Sequence, residues 1–183
     1  YYLDHNYNKM RNTMGWIFMD YRNNPEELDK NTIIYGHNIK QGILFGTIKN
    51  MMNRNWYKNP NNQIITFNTP TKNMKWKIFS LYEIKATEDY LTIEWDSNEE
   101  YMNFINMLKG RSKMDFGVEV NENSKILTLS TCKSNNQKVV VQAKLIKKVS
   151  KEMKRKDRIE KLKLLAAMKK IAPKSIDKFI TLY

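Results

Sequence analysis

The chain has only one cysteine, two histidines, four prolines and six glycines among its 183 residues, and it has no long apolar run. A single cysteine excludes an internal disulfide. With so few thiol and imidazole groups, widely spaced along the chain, a clustered zinc-type site is excluded as well. No stretch of ~18 apolar residues exists that would cross a membrane as a helix. A glycine-rich phosphate loop is also absent. We therefore expect no metal and no other cofactor.

Acidic residues are scarce relative to basic ones, 19 against 32, so the net charge is +13. Such a charge favours anionic partners: nucleic acid, anionic lipid or an anionic cell wall. More than half of the excess lies in residues 151–183, which carry a net charge of +7. Apolar residues of this segment share one broad helical arc, which predicts a basic helical C-terminal extension: Leu162, Leu164, Leu165, Met168, Ile171 and Ala172. It could pack on the rest of the chain, contact a membrane surface or mediate contacts between molecules.

Residues 1–150 consist mostly of short segments rich in β-branched and aromatic residues, separated by turn residues. Two segments, 45–57 and 97–111, instead place apolar residues at helical spacing. Ser97 and Glu100 have the spacing of a capping box at the start of the second helix. Many strands with inserted helices predict a mainly β fold, a closed β-barrel of about eight strands. The β segments that can be read directly are 16–21, 32–37, 63–69, 76–87, 125–132 and 138–149.

Two residues that could do chemistry stand at the ends of predicted strands. Cys132 ends one strand and precedes a polar loop, and His37 follows another strand after Gly36, which would free the backbone to turn. A thiol becomes a useful nucleophile beside a base or a positive charge, so this pair predicts an active site at the rim of the barrel. The alternative is a buried thiol that packs as a small hydrophobe and a surface histidine. His5 lies in an irregular polar stretch and has no comparable setting.

Three short segments and one helix, in their order along the chain, carry a wider pattern. The segments are GWIFMDYRNN (15–24), NTIIYGHN (31–38) and TLSTC (128–132). Together with the long predicted helix before the cysteine strand, they resemble the class B sortases, the cysteine transpeptidases that attach proteins to Gram-positive cell walls. The resemblance covers residues 1–150 and implies a sortase-type catalytic barrel there. Residues 151–183 are extra relative to the family pattern.

The resemblance also implies a mechanism. The thiolate of Cys132 would attack the carbonyl carbon of a Thr in a sorting motif near the C-terminus of a surface protein, forming a thioacyl intermediate. His37 would protonate the leaving amine and later deprotonate the accepting amine, which belongs to a peptidoglycan precursor or a pilin. Location at the extracellular face of the membrane is implied, with an N-terminal anchor that this chain does not contain. The residues implied to bind the substrate are Ser130, Thr131, Tyr90, Leu91 and Leu3.

One residue departs from the family pattern. Lys138 stands where the family has its third catalytic residue, an arginine just before a run of valines. The ammonium of lysine is a compact point charge, whereas the guanidinium of arginine is planar and presents several hydrogen-bond donors in fixed directions. Since loss of one well-placed donor costs about 10²–10³ in rate, we hypothesise a slow enzyme. Two other functions stay open: a sortase-like peptide-binding module with weakened or lost activity, and a basic barrel that stacks nucleic-acid bases on its aromatic residues. The sortase interpretation predicts no nucleic-acid partner.

Overall fold

The computed structural model describes residues 1–39, 42–69, 71–134 and 136–150. These residues form one six-stranded sheet in the order β1-β2-β5-β6-β4-β3. Strands β2 and β5 run parallel, and all other neighbours in the sheet are antiparallel. The strands are β1 (Phe18–Met19), β2 (Asn31–Tyr35), β3 (Ile64–Thr66), β4 (Lys72–Lys85), β5 (Ile126–Ser134) and β6 (Gln137–Ser150). The α-helices are α1 (Arg54–Tyr57) and α2 (Asn98–Arg111), and 3-10 turns cover Ile48–Met52, Pro60–Gln63 and Asp89–Leu91.

Each predicted β segment contains a strand, but the expected closed barrel of about eight strands is not formed by the described residues. Their sheet has six strands and is open. Its two edge strands, β1 and β3, are two and three residues long and lie at opposite ends of the strand order. Such short edges offer few backbone groups for a closing ladder. The predicted helical extension, residues 151–183, lies outside the described residues.

A β-bulge in β4 exchanges the two apolar layers that its alternate side chains face. The register against β6 shifts between Ile78 and Ser80. Before the shift, Trp76 and Ile78 pack into one core cluster; beyond it, Tyr82 packs into the other. An extra residue in one strand reverses the facing of all later side chains. Both layers are therefore anchored on one long strand, which lies between β6 and the short edge strand β3.

Helix α2 forms as predicted and covers the second layer. The Ser97 hydroxyl accepts a hydrogen bond from the Glu100 N–H at 3.1 Å, which satisfies a free donor of the first turn. Tyr101, Ile105 and Leu108 on one face are fully buried. The other predicted helix, 45–57, is instead divided at its middle into a 3-10 turn and the single-turn helix α1.

The parallel pairing of β2 with β5 positions the site. Tyr35 lies opposite Ser130 in this pair. Because the two strands are parallel, their carboxyl ends lie at the same end of the sheet. A hydrogen bond from Thr131 Oγ1 to the Gly36 carbonyl oxygen, 2.7 Å, ties the two ends together. His37 and Cys132 follow immediately and therefore emerge side by side.

Candidate active site

A cavity of about 480 Å³ opens at this edge of the sheet. We call it the thiol cavity. Its lining includes side chains from the N-terminal segment, from β2, β5 and β6, and from the turn after β4. Every residue that the sequence predicted for the site lies in this lining, so the fold brings together positions more than 130 residues apart. These residues are Leu3, His37, Tyr90, Leu91, Ser130, Thr131, Cys132 and Lys138.

The sulfur of Cys132 is exposed and in contact with a cation. Cys132 lies directly opposite Lys138 in the β5–β6 ladder. The Lys138 ammonium donates a hydrogen bond to Cys132 Sγ at 3.0 Å. This contact places a positive charge directly beside the one thiol of the chain. The alternative of an inert thiol packed in the core does not apply to this cysteine.

The ring of His37 is half-buried and held by the N-terminal segment. Its Nε2 makes a hydrogen bond of 2.7 Å with the carbonyl oxygen of Leu3. Because a carbonyl oxygen only accepts, Nε2 is the donor in this contact, and Nδ1 is left to exchange a proton. The second histidine, His5, pairs instead with Asp4 and stacks on Tyr1. It is not part of the cavity lining.

The floor of the thiol cavity is built from buried hydroxyl groups. Ser130 and Thr131 are each only 3% exposed. The Tyr90 hydroxyl and Ser130 Oγ are hydrogen-bonded at 2.9 Å. Burial raises the pKa of the Tyr90 phenol, so this group stays neutral and keeps its hydrogen. The contact fixes the turn that carries Tyr90 against strand β5.

A charged network adjoins this cavity, and no pattern in the sequence predicted a role for it. The Arg22 guanidinium makes a bidentate contact with the Asp20 carboxylate, at 2.9 and 3.1 Å. This hydrogen-bonded pairing lowers the pKa of Asp20 to about 2. The Tyr35 hydroxyl donates to the same carboxylate at 2.7 Å. Arg22 also donates to the carbonyl oxygen of Leu91 at 2.9 Å, so the network connects strand β2 to the turn that lines the cavity.

The sequence did hold a signal for one member of this network. Tyr35 stands two positions before His37, and residues two apart in a strand point to the same face. Tyr35 indeed lines the thiol cavity. The Arg22–Asp20 pair gave no such signal, because it lies in a turn where side-chain direction does not follow a fixed period.

The part of the chain that the structure describes contains neither a metal-binding cluster nor a membrane-spanning helix. Within ranges 1–39, 42–69, 71–134 and 136–150, no three His, Cys, Asp or Glu side chains are grouped so that they could hold a metal ion. Over the same ranges, no helix has both the length and the apolar character needed to cross a membrane. The arrangement can supply a nucleophile, a proton carrier and a positive charge around one opening.

Residues 2–146 match the family model for the sortase domain. Sortase B of Listeria monocytogenes is 33% identical over 152 residues, which are 81% of this chain and 61% of that protein. Sortase B of Staphylococcus aureus is 29% identical over 150 residues, 80% of this chain and again 61% of the relative. The chain therefore spans 61% of the length of these curated relatives. The crystal structure of Clostridium perfringens sortase B superposes with a TM-score of 0.73 at 33% identity, covering 80% of this chain and 81% of the other.

Proposed function

Because this chain belongs to the sortase family, we propose that it is a class B cysteine transpeptidase. Its donor would be a surface protein with a C-terminal sorting motif, cut after a Thr. Its acceptor would be an amine of a peptidoglycan precursor or a pilin. The observation that carries the proposal is the joint placement of Cys132, His37 and Lys138 around one open cavity, with the ammonium at 3.0 Å from the sulfur.

In the proposed first half-reaction, the Cys132 thiolate attacks the carbonyl carbon of the Thr residue. A C–S bond forms, and the carbonyl electron pair moves onto oxygen. When the tetrahedral intermediate collapses, the C–N bond breaks and His37 gives its proton to the departing amine. The donor protein is then held as a thioester on Cys132.

In the proposed second half-reaction, an amine replaces the sulfur. The neutral amine attacks the thioester carbonyl while His37, now without its proton, takes one from the attacking nitrogen. The C–S bond breaks, a new amide forms, and the thiolate returns beside Lys138. Water can enter in place of the amine, and the product is then a free carboxylate.

Relatives support both substrates of this scheme. Staphylococcus aureus sortase B has been solved as a complex with its substrate, with a TM-score of 0.74 to this chain at 29% identity, covering 80% of this chain and 68% of that one. Sortase B has also been solved in complex with triglycine. A peptide donor and an amine acceptor are therefore the two partners that we propose for this chain. We place the reaction at the extracellular face of the membrane, where a cell-wall amine is available.

A positional peptide library tests the proposal. Fluorogenic pentapeptides with a fixed Thr and randomised neighbours are incubated with the protein, with and without triglycine as the amine. We expect cleavage after Thr for a small subset, and a new peptide joined to triglycine when it is present. Cys132→Ala is expected to abolish both products, whereas Lys133→Ala, a matched change next to the thiol, keeps them.

Two results would contradict the proposal. One is cleavage that persists in Cys132→Ala. The other is saturable peptide binding with no cleavage over long incubation, which would favour a peptide-binding module that has lost activity. A steep salt dependence of binding to single-stranded nucleic acid, with no peptide turnover, would instead support the nucleic-acid function.

A further inference from the structure

A second, larger cavity of about 730 Å³ adjoins the thiol cavity. We call it the outer cavity. The two share Tyr35, Glu88 and Leu91 in their linings. None of the three groups proposed to react, Cys132, His37 and Lys138, lines the outer cavity. It therefore continues the substrate-binding part of the thiol cavity, away from the reacting atoms.

The wall between the two cavities is fixed by long-range hydrogen bonds. Arg22, itself clamped on Asp20, donates to the carbonyl oxygen of Leu91. The Asn31 side chain donates to the next carbonyl oxygen, that of Thr92, at 2.8 Å. Both donors come from segments around β2, more than 60 residues away in the chain. Because these hydrogen bonds already fix Leu91 and Thr92, this part of the lining needs little reorganisation when a ligand binds. The entropic cost of binding is therefore lower.

Part of the lining of the outer cavity has backbone groups without hydrogen-bond partners among the described residues. After the Asp89–Leu91 turn the chain is extended at Thr92, with φ −69° and ψ 136°. Among the described residues, no backbone hydrogen bond involves Ile93 or Glu94. Unpaired N–H and C=O groups next to an extended residue can pair with an added ligand strand, as they do in peptide-binding domains.

The charge of the outer cavity differs from that of the whole protein. Two exposed carboxylates, Glu88 and Glu94, line it, and no described residue forms an ion pair with either. The cationic group of the lining, Arg22, is already neutralised by Asp20. The chain has a net charge of +13, but these carboxylates make the outer cavity locally negative. The cavity therefore favours cationic side chains of a ligand.

We propose that the outer cavity binds the donor residues that precede the sorting motif, as an extended strand paired with Ile93 and Glu94, and that it favours Lys or Arg there. This inference rests on the proposed transpeptidase function. The acceptor amine is a poorer occupant, because it must reach the thioester carbon and no reacting side chain lines this cavity. The protein thus recognises a longer donor segment than the motif alone.

The test extends the pentapeptide selected by the library. Three residues are added upstream of the motif, as three lysines, three alanines or three glutamates, and kcat/KM for release of the leaving group is measured. We expect the alanine extension to raise kcat/KM about fivefold over the bare pentapeptide, as one or two added backbone hydrogen bonds imply. N-methylation of the added backbone is expected to remove that gain. Lysine is expected to exceed glutamate by about tenfold, less at high salt.

Substitutions link the effect to the cavity. Glu94→Gln is expected to lower the lysine-to-glutamate ratio about threefold, whereas Glu27→Gln, the same change at an exposed site outside both cavities, leaves it unaltered. Cleavage of the bare pentapeptide with no gain from any extension overturns this inference and leaves the proposed function standing. Failure to cleave any peptide overturns both. If Glu94→Gln changes only the ratio of triglycine transfer to hydrolysis, the cavity belongs to the acceptor and the inference is wrong.

Discussion

At the residue scale, the contact between Lys138 and Cys132 is the feature of the candidate site that is closest to the proposed chemistry. The family resemblance predicts that Lys138 replaces an arginine, and the short loop between β5 and β6 puts this lysine opposite the thiol in the ladder. The 3.0 Å contact from Nζ to Sγ was beyond sequence reasoning, since four rotatable bonds decide where a lysine head lies. Lys133, next to the thiol in the chain, is instead engaged by Glu83 at 2.6 Å.

Lys138→Arg tests whether this lysine limits the rate. A guanidinium presents several donors in a fixed plane, so it can hold the sulfur and then the developing oxyanion better than one ammonium. We expect kcat to rise about tenfold, and Lys138→Ala to lower it by about 10²–10³. Lys133→Arg is the matched control and is expected to have little effect. Equal or lower turnover in Lys138→Arg would count against an oxyanion role.

The lowered pKa of Asp20 predicts how the free energy of unfolding changes at acidic pH. Its carboxylate is 7% exposed and hydrogen-bonded to Arg22, which lowers its pKa from 3.8 to about 2. A lowered folded-state pKa contributes stability above the unfolded-state pKa, and this contribution is lost as the pH falls from about 4 to about 2. We expect the free energy of unfolding to decline in this window, and Asp20→Asn to reduce the decline. Urea titrations at a series of pH values measure it; parallel curves for the two proteins would refute the assignment.

At the element scale, prediction succeeded where one strong local signal determined the structure. Helix α2 begins and ends within a residue of the predicted range, because a capping serine and a regular apolar face agree. The predicted 45–57 helix is interrupted because Asn53 adopts an extended backbone, φ −72° and ψ 129°, and caps α1 through its side chain. Gly36 was expected to permit a turn, yet its φ is not positive. A glycine fits this position because a Cβ there would lie only 2.8 Å from the Phe45 ring.

Ser97 tests the cap of α2. Replacing an N-cap serine by alanine leaves the Glu100 N–H without its side-chain acceptor and costs about 1 kcal/mol. We expect Ser97→Ala to lower the melting temperature by a few degrees, and Ser97→Asp, which keeps an acceptor, to retain stability. Thermal unfolding followed by circular dichroism gives the comparison. Equal losses in both variants would show that the cap is not the source of stabilisation.

At the scale of the whole molecule, the sequence located six strand segments but predicted neither their order nor the open sheet. Strand order depends on which distant segments pair, and local pattern does not report this. The parallel β2–β5 pair is the decisive case, because it alone brings His37 beside Cys132. The family resemblance predicted that His37 and Cys132 belong to one site, whereas the composition did not. The outer cavity had no sequence signal, since it is formed by turns from separate parts of the chain.

The charge distribution gives a prediction at this scale. Residues 151–183 carry a net charge of +7, and each Lys or Arg near an anionic bilayer contributes about 1 kcal/mol. We propose that this segment contacts the membrane surface. The full chain is expected to co-sediment with phosphatidylserine-containing vesicles, less so at high salt. Changing Lys163, Lys169 and Lys170 to Gln is expected to weaken binding at least tenfold, whereas three Lys→Gln changes at Lys75, Lys77 and Lys113 should have a smaller effect. Equal effects of the two triple variants would contradict a specific role.

The central claim is that the donor peptide becomes covalently bound to the sulfur of Cys132. Mass spectrometry after an acid quench tests this most directly. The protein is mixed with the selected pentapeptide for a short time without added amine, quenched and digested. We predict a mass increase equal to the acyl part ending in Thr, located on the peptide that contains Cys132 and removed by triglycine before the quench. Cleaved peptide accompanied by an unmodified Cys132 at every time point, or by an adduct on another residue, would contradict it.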